Sequence, residues 1–324
     1  MNILIIGLGV IGTTYGYLFS KAGHRVEHYI RKSSKNYNVS NLKVELLDGR
    51  TDSSKGQSSQ DTYEVNKASR KDYDFIFISV PSGKIEGVVE ELEKEGITGT
   101  LLLGCGIWEN RTYVETILKG QAWILGYPVA GGNIQEGTLN CCVFDHFMLE
   151  KPEKASIPNY DVLQELFSGC HIELEQPYDM LEWIWLHMAI NAGVVSVAGR
   201  YGDINDASAS AESLMNSRAK LAEVVRSIRE TSKIVESRGV VLKHYNNELF
   251  AYKLPTIISS PIMKRMFATQ VLTRKIMTLH SNIQDLLYVC RCVYDEGKKN
   301  GIAAPIFYKN YETIKSNIPE KEII

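Results

Sequence analysis

Short apolar runs alternate with longer amphipathic stretches in the first half of the chain. The short runs are bounded by Gly, Pro or polar residues, as buried strands are, and the longer stretches have the period of helices. The predicted strands cover 2–6, 25–30, 74–80, 101–104, 122–125 and 139–147, and a helix over 10–22 follows the first of them. Strands separated by helices are typical of βαβ units and therefore predict a mainly parallel sheet.

A polar segment interrupts this alternation between 31 and 70. It is rich in Ser, Asn, Lys and Asp, and it contains one strand-like run over 42–47. Asp48-Gly49 follows that run directly and predicts a hairpin turn. A further alternating run over 170–175 is the last strand pattern of the chain.

The pattern changes near Tyr178. From there on, apolar residues recur with helical period over 178–198, 209–236, 261–279 and 283–300. We therefore predict an α/β domain over 1–177 and an all-helical domain over 178–324.

A glycine motif stands between the first predicted strand and the first predicted helix. The run Gly7-Leu8-Gly9-Val10-Ile11-Gly12 has the form GxGxxG, in the strand–turn–helix context that a dinucleotide-binding fingerprint requires. Gly7 permits the tight turn, Gly9 lets the backbone approach a pyrophosphate, and Gly12 allows close packing of helix and strand. The helix N-terminus then presents N–H groups to the phosphates. We predict a Rossmann-type dinucleotide-binding domain; the alternative is a glycine-rich turn without a ligand.

The end of the second strand indicates which dinucleotide binds. An NAD site usually has Asp or Glu there, within reach of the ribose. In this chain the position is apolar Ile30, and Glu27 comes too early in the strand. Arg31 and Lys32 follow at once, and a guanidinium suits a 2′-phosphate by charge and geometry. We predict NADP(H) as the cofactor, against the alternative that both cations are ordinary surface charges.

Composition and charge reduce the range of possible functions. The chain has 324 residues, 44% of them hydrophobic, and a formal net charge of −2, which argues against a nucleic-acid partner. The six cysteines form no CxxC pair, so we expect no metal site. The apolar start lacks a basic region, and the apolar stretch 188–199 is too short to span a bilayer. We therefore expect a cytoplasmic protein without a membrane partner.

With these features the chain resembles the ketopantoate reductase (2-dehydropantoate 2-reductase) family over nearly its whole length. Besides the glycine motif and Arg31, the matching parts are the run Trp123-Ile124-Leu125-Gly126-Tyr127-Pro128-Val129-Ala130, the pair Gly137-Thr138 and the segment 300–305. The long helix starting around Glu182-Trp183 is similar to the helix that opens the family's substrate domain. The resemblance implies a Rossmann domain, a helical domain, and NADPH-dependent reduction of a 2-oxo acid in the cleft between them.

The resemblance also implies roles for residues of the helical half. The family's catalytic Lys falls on His187, and its two Asn, four and eight residues later, fall on Asn191 and Val195. Its substrate-binding Glu falls on Asp285, a shorter carboxylate. These departures cluster on substrate contacts and indicate a changed substrate or a lost activity.

Two further positions belong to the cofactor side of the implied site. Pro81 falls near the place where a Lys often follows the fourth strand of family members. Cys105 takes the place of an Asn in the loop that usually reads Gln-Asn-Gly.

We expect an NADPH-dependent reductase that converts a small 2-oxo acid to the 2-hydroxy acid. With a reference pKa of about 6.5, histidine suits a proton donor at neutral pH, and His187 lies four positions from Asn191, on one helical face. Asp285 would orient a substrate hydroxyl. The alternatives are a buried polar patch around His187 and a solvated Asp285. Weaker candidates for substrate contacts are His280, Ser281, Lys253, Lys264, Arg265 and Lys275.

Two other functions remain open. A D-2-hydroxy acid dehydrogenase or an opine-type dehydrogenase combines a similar dinucleotide domain with a histidine. A non-catalytic NADPH-binding sensor is the second alternative, suggested by the missing Lys and Asn. Apolar surface on the helical half also allows a homodimer.

Overall fold

The computed structural model describes residues 1–81, 83–155, 157–203, 205–279 and 282–318. Contacts between residues divide the chain into two units that meet at Leu181 and Glu182. The N-terminal unit holds the strands and the C-terminal unit holds the long helices, as the change of pattern near Tyr178 predicts.

A single mixed sheet forms the centre of the N-terminal unit. Its strands are β1 (Asn2–Ile6), β2 (Arg25–Tyr29), β3 (Asn41–Asp48), β4 (Gln57–Glu64), β5 (Asp72–Ile78), β6 (Thr98–Gly104), β7 (Trp123–Gln135), β8 (Thr138–Leu149) and β9 (Glu173–Glu175). The helices are α1 (Val10–Lys21), α2 (Ile85–Glu95), α3 (Arg111–Leu118) and α4 (Tyr160–Gly169). The strand order is β2-β1-β5-β6-β7-β8-β3-β4, with β9 beside β8. The first five of these strands are parallel, which confirms the predicted Rossmann-type core.

Aromatic side chains hold α1 on this sheet. Tyr15 of α1 meets Phe77 of β5 and Phe147 of β8 edge-on, with ring centroids 5.5 and 5.4 Å apart. Phe19, one turn later, meets Phe167 of α4 at 5.7 Å. Such edge-to-face pairs add to the burial of large apolar rings and fix their orientation. The first helix is thereby held at a defined position over the first strand.

The sheet extends beyond the strands that the hydrophobic pattern predicts. β4 pairs antiparallel with β3, and the loop joining them is longer than the tight turn expected at Asp48-Gly49. The pattern gave no indication of β4 because Tyr63 is its one buried residue, as befits a polar edge strand. β7 also continues past 125, since Gly132 lets it lie close to β8: a Cβ there would come within 2.3 Å of the Asn140 carbonyl oxygen.

Helices make up the C-terminal unit. They are α5 (Met180–Tyr201), α6 (Ala207–Met215), α7 (Arg218–Ser237), α8 (Asn246–Lys253), α9 (Thr256–Thr269), α10 (Val271–Leu279), α11 (Ile283–Lys299) and α12 (Pro305–Ser316), with a 3-10 helix over Leu242–Tyr245. Two predicted helices are each divided in two. Ser217 caps α7 by accepting from the Lys220 N–H, which interrupts 209–236. The extended backbone of Gln270 (φ −97°, ψ 96°) interrupts 261–279.

α5 is the most apolar helix of this unit. Among the described residues it alone is long and apolar enough to cross a membrane by length and composition, and 61% of its most apolar window is buried inside the protein. Gly193 lets it approach α7 closely, since a Cβ there would lie 2.7 Å from Ile228 Cγ1. α5 therefore has the burial of a core helix, and it also carries two of the predicted catalytic residues.

Close packing at Gly12 predicts a large cost for any side chain there. A Cβ at Gly12 would lie 2.7 Å from both Ile5 Cγ2 and Ser79 Oγ. We expect Gly12→Ala to lower the free energy of unfolding by about 1–3 kcal/mol, measured by urea denaturation. The control is Gly87→Ala in α2, where a Cβ meets open space. That change should raise stability by roughly 0.5–1 kcal/mol. Equal effects of the two substitutions would contradict the packing argument.

Candidate functional site

The glycine turn lies where three parallel strands end. Ile6 of β1 is paired with Tyr29 of β2, and Ile5 with Phe77 of β5, so their carboxyl ends share one edge of the sheet. In open α/β sheets this edge is where ligands bind. Gly7 has φ +78°, a conformation that favours glycine, and its N–H donates to the Tyr29 carbonyl at 2.8 Å. The turn is thereby tied to the second strand.

Gly9 is the N-cap of α1 and has no side chain to cap the first N–H groups. Its backbone is extended (φ −81°, ψ 156°) and it is exposed. The first turn of α1 contains no acidic residue. The positive end of the helix is thus open to an anion, as a pyrophosphate requires.

A buried hydroxyl lies behind the turn. Within the described part of the chain, Ser79 Oγ has no hydrogen-bond partner and is shielded from solvent. Buried polar atoms are nearly always paired, so this unpaired hydroxyl is what a bound water would satisfy. The turn and the open helix end fit a dinucleotide phosphate.

A cleft of about 310 Å³ opens beside the glycine turn. Its lining combines apolar side chains, against which a flat base can pack, with polar ones. Its lining residues are Ile6, Gly7, Leu8, Tyr29, Ile30, Arg31, Ser33, Ser34, Val80, Val88, Glu91 and Leu92. The cleft is at the small end of ligand-pocket volumes, large enough for a nucleoside portion.

The predicted Arg31 is one of the polar residues that line the cleft. Its side chain is 59% exposed and therefore available to a ligand. Ser33 and Ser34 line the same cleft and were missed by sequence reasoning, although two hydroxyls directly after a cation at a strand end are a usable indication of a phosphate site. Lys32 is exposed next to them and does not contribute to the lining.

The other two predicted cofactor residues follow strands at the same edge. Pro81 comes after β5 and is exposed, while its neighbour Val80 lines the cleft. Cys105 comes directly after β6 and is buried. Their roles toward a cofactor stay predictions.

Both carboxylate oxygens of Glu27 accept hydrogen bonds within the N-terminal unit. Its carboxylate accepts hydrogen bonds from Tyr73 Oη (2.7 Å), from the N–H and hydroxyl of Ser69 (2.7 and 2.8 Å) and from Arg25 Nε (3.0 Å). Burial raises the pKa of Glu27, but these hydrogen bonds outweigh it and hold the pKa at about 2. Glu27 is therefore a structural residue and not a ribose ligand, as its position in the strand suggests.

His28 holds the glycine turn from below, and sequence reasoning missed it. Its Nδ1 lies 2.8 Å from the Gly7 carbonyl oxygen and its Nε2 lies 2.8 Å from Tyr63 Oη. Because a carbonyl only accepts, Nδ1 carries the hydrogen and Nε2 accepts from the Tyr63 hydroxyl. Burial lowers the pKa of His28 to about 4, so the ring is neutral at pH 7. A neutral imidazole thus positions the turn.

Two of the predicted catalytic residues lie on α5 in the C-terminal unit. His187 and Asn191 are one helical turn apart, and both side chains are half-buried. The His187 ring stacks on Trp183, with centroids 4.9 Å apart and planes 13° from parallel. Burial lowers the pKa of His187 to about 4. At neutral pH this ring is therefore an uncharged hydrogen-bond donor and not an imidazolium ion.

Asp285 lies in the first turn of α11, where a carboxylate is favoured by the helix dipole. Its N–H donates to Oδ1 of the capping residue Asn282 at 3.3 Å. α11 contacts α5 further along, where Cys290 Sγ lies 3.8 Å from the Ala192 carbonyl oxygen. Asp285 and the α5 pair thus belong to neighbouring helices.

The weaker candidates are dispersed. Lys253 Nζ donates to Asn246 at 2.5 Å, whereas Lys264 and Arg265 are exposed on α9. Lys275 is half-buried on α10. Residues 280 and 281, the predicted His280 and Ser281, lie outside the described residues. In the described part of the chain no group of three or more His, Cys, Asp or Glu could hold a metal ion.

A comparison with protein families matches residues 3–107 to the model "Ketopantoate reductase PanE/ApbA". That span contains the glycine motif, Arg31 and the whole cleft. The predicted family resemblance is confirmed for this segment. Ketopantoate reductases are NADP-dependent oxidoreductases acting on a CH–OH group, in agreement with the enzyme class and cofactor expected from the sequence.

Solved structures show the same fold over almost the whole chain. The 2-dehydropantoate 2-reductase of Geobacter metallireducens GS-15 is 16% identical, with a TM-score of 0.66 over 98% of this chain and 100% of that one. Yersinopine dehydrogenase with NADP⁺ bound is 13% identical (TM-score 0.64, 98% and 90% covered). D-mandelate dehydrogenase with NADH and anilino(oxo)acetate is 14% identical (TM-score 0.62, 98% of each chain covered). The search of curated proteins finds no match.

These similarities confirm the fold class, an N-terminal Rossmann-type domain followed by a helical part. At such low identity they carry no substrate from one protein to another. The cytoplasmic location and the homodimer stay predictions.

The neutral state of His28 predicts how stability depends on pH. An unfolded chain binds a proton near the ordinary pKa of 6.5, and the folded protein only near 4. Between these values the unfolded state holds more protons, so stability falls as the pH is lowered, by about 1.4 kcal/mol per pH unit for this group. In urea denaturation between pH 7 and pH 4.5, His28→Asn should reduce the slope of the pH dependence. Exposed His244→Asn is the control and should leave the slope unchanged; an unchanged slope in both variants would refute the assignment.

Proposed function

We propose that the chain is an NADPH-dependent reductase that converts a small 2-oxo acid to the corresponding 2-hydroxy acid. The observation that carries this proposal is the site at the carboxyl edge of the sheet, formed by the Gly7 turn, the open start of α1 and the cleft with Arg31. This site lies within the segment that matches the ketopantoate reductase family. The C-terminal unit supplies the second part of the reaction, a helix with two polar side chains on one face.

The phosphates of the cofactor would be held by the N–H groups at the start of α1, and a 2′-phosphate by Arg31 with Ser33 and Ser34. When bound, the reduced nicotinamide supplies the hydride. Every further requirement of the reaction falls to side chains of the protein, which must orient the 2-oxo acid and stabilise its carbonyl oxygen.

His187 meets the second requirement as a neutral imidazole. Its N–H donates a hydrogen bond to the carbonyl oxygen, where negative charge grows as the carbon is reduced. Neutral histidines act this way in enzymes that keep the ring uncharged. The proton passes from the ring nitrogen to the oxygen and completes the hydroxyl group, and solvent returns a proton to the ring. Asn191, one turn away, holds a polar group of the substrate, and Asp285 accepts a hydrogen bond from a substrate hydroxyl.

An opine-type dehydrogenase is the second candidate, and the His187 position favours it. The residue that the family resemblance implies there is Lys, whereas the opine-type dehydrogenases considered above use a histidine. The similarity to yersinopine dehydrogenase supports the same fold for such a reaction. A reductive condensation would differ in needing an amine together with the 2-oxo acid.

The deciding experiment follows NADPH oxidation against a panel of 2-oxo acids that includes ketopantoate, each with and without an added amino acid. Turnover without amine is the expected result and supports the reductase. Turnover only with amine would replace it by the opine-type reaction. NADPH binding without any turnover would replace both by a non-catalytic sensor.

We predict that His187→Ala lowers kcat on the best substrate by about 100-fold, the lower range for loss of a proton donor. The affinity for NADPH should not change, because the dinucleotide site belongs to the other unit. The control is His244→Ala, an exposed histidine of the same unit. The pH profile of kcat/KM should be flat between about 5.5 and 7.5 because His187 stays neutral there. A loss of less than about threefold would remove His187 from the mechanism.

A further inference from the structure

An acidic side chain lies beside the predicted phosphate-binding cation in the cleft. Glu91 of α2 lines the cleft, and its Oε2 lies 4.0 Å from Arg31 Nε. Its Oε1 accepts a hydrogen bond from Tyr29 Oη at 2.9 Å. Burial and this hydrogen bond raise the pKa of Tyr29 to about 12, so the tyrosine remains a donor to Glu91. The carboxylate is thereby held on the wall of the cleft beside the guanidinium.

Glu91 is not at the end of the second strand, where an NAD site usually has its ribose-binding acid, Asp or Glu. In this chain that position is Ile30, directly after β2, and the lack of an acid there predicts an NADP site. Glu91 comes sixty positions after Arg31. It reaches the same cleft because α2 lines the cleft together with Ile6 and Tyr29, the last residues of β1 and β2. The cleft therefore combines a cation suited to a 2′-phosphate with an anion that opposes one.

We propose that Glu91 sets the cofactor selectivity of the cleft by competing with a 2′-phosphate for Arg31. A phosphate monoester carries close to two negative charges at pH 7. To bind it, Arg31 must give up part of its attraction to Glu91. NADH has no 2′-phosphate and escapes this competition. The preference for NADPH over NADH is then smaller than Arg31 alone would produce. The proposal rests on the dinucleotide site of the proposed function.

The exposure of the pair limits the size of the effect. Arg31 is 59% and Glu91 31% exposed, so solvent and salt screen their attraction. We expect removal of the Glu91 charge to tighten NADPH binding about three- to tenfold at low salt. Glu91→Gln is the suitable change, because a Gln carbonyl oxygen still accepts the Tyr29 hydrogen bond and preserves the wall of the cleft.

The experiment measures dissociation constants of NADPH and NADH by fluorescence titration in the full-length protein. Glu91→Gln should lower the NADPH dissociation constant at least threefold and change the NADH dissociation constant less than twofold (about 1.1 and 0.7 RT, within the range of exposed pairs). Glu90→Gln is the matched control, since Glu90 is the neighbouring exposed acid of α2 and does not line the cleft. It should change neither constant by more than about twofold.

A double-mutant cycle tests whether Glu91 acts through Arg31. In the Arg31→Ala background, Glu91→Gln should no longer tighten NADPH binding. If Glu91→Gln still tightened NADPH binding in that background, the competition for Arg31 would be overturned in favour of direct repulsion between Glu91 and the phosphate. A gain below threefold in the native background, or an equal gain for NADH, would also overturn it. Failure of both nucleotides to bind would overturn the proposed function as well, whereas normal binding with no response to Glu91→Gln would overturn this inference alone.

Discussion

The glycine turn after β1 depends on one constraint: helix and strand must approach more closely than any side chain allows. At Gly12 a Cβ would lie 2.7 Å from atoms of both Ile5 and Ser79. This approach brings the start of α1 to the carboxyl edge of the sheet, where Gly9 leaves the first N–H groups uncovered. The aromatic contacts of Tyr15 and Phe19 hold the same helix one and two turns later. The proposed phosphate site and the core packing therefore use the same helix.

Burial controls the chemistry of both histidines that matter here. His28 and His187 each have a pKa near 4 because the charged ring would lose its hydration. For His28 the consequence is structural, since a neutral ring with a defined tautomer holds the Gly7 carbonyl and the Tyr63 hydroxyl together. For His187 the consequence under the proposed function is chemical, since a neutral ring would stabilise the substrate oxygen by hydrogen bonding rather than as a cation.

In the cofactor cleft, a positive charge predicted from the sequence lies beside a negative charge supplied by another part of the fold. Arg31 follows from position in the sequence, as the second residue after β2. Glu91 depends on the packing of α2, sixty residues away, and brings a negative charge to within 4.0 Å of the same guanidinium. In the proposed account, the cofactor selectivity of the cleft is a balance of these two charges, of which only Arg31 was predicted from the sequence.

The sequence by itself determined the parts whose evidence is local. The βαβ start, the GxGxxG turn, Arg31 and the change to helices near residue 178 all follow from spacing and periodicity among neighbouring residues. Only the tertiary structure decided β4, whose single buried residue leaves no pattern, and the breaks at Ser217 and Gln270. It also decided the pairing of Glu91 with Arg31 and the protonation of His187. The reason is that burial and hydrogen bonding depend on residues far apart in the chain, and periodicity reports which face of an element is buried but not what covers it.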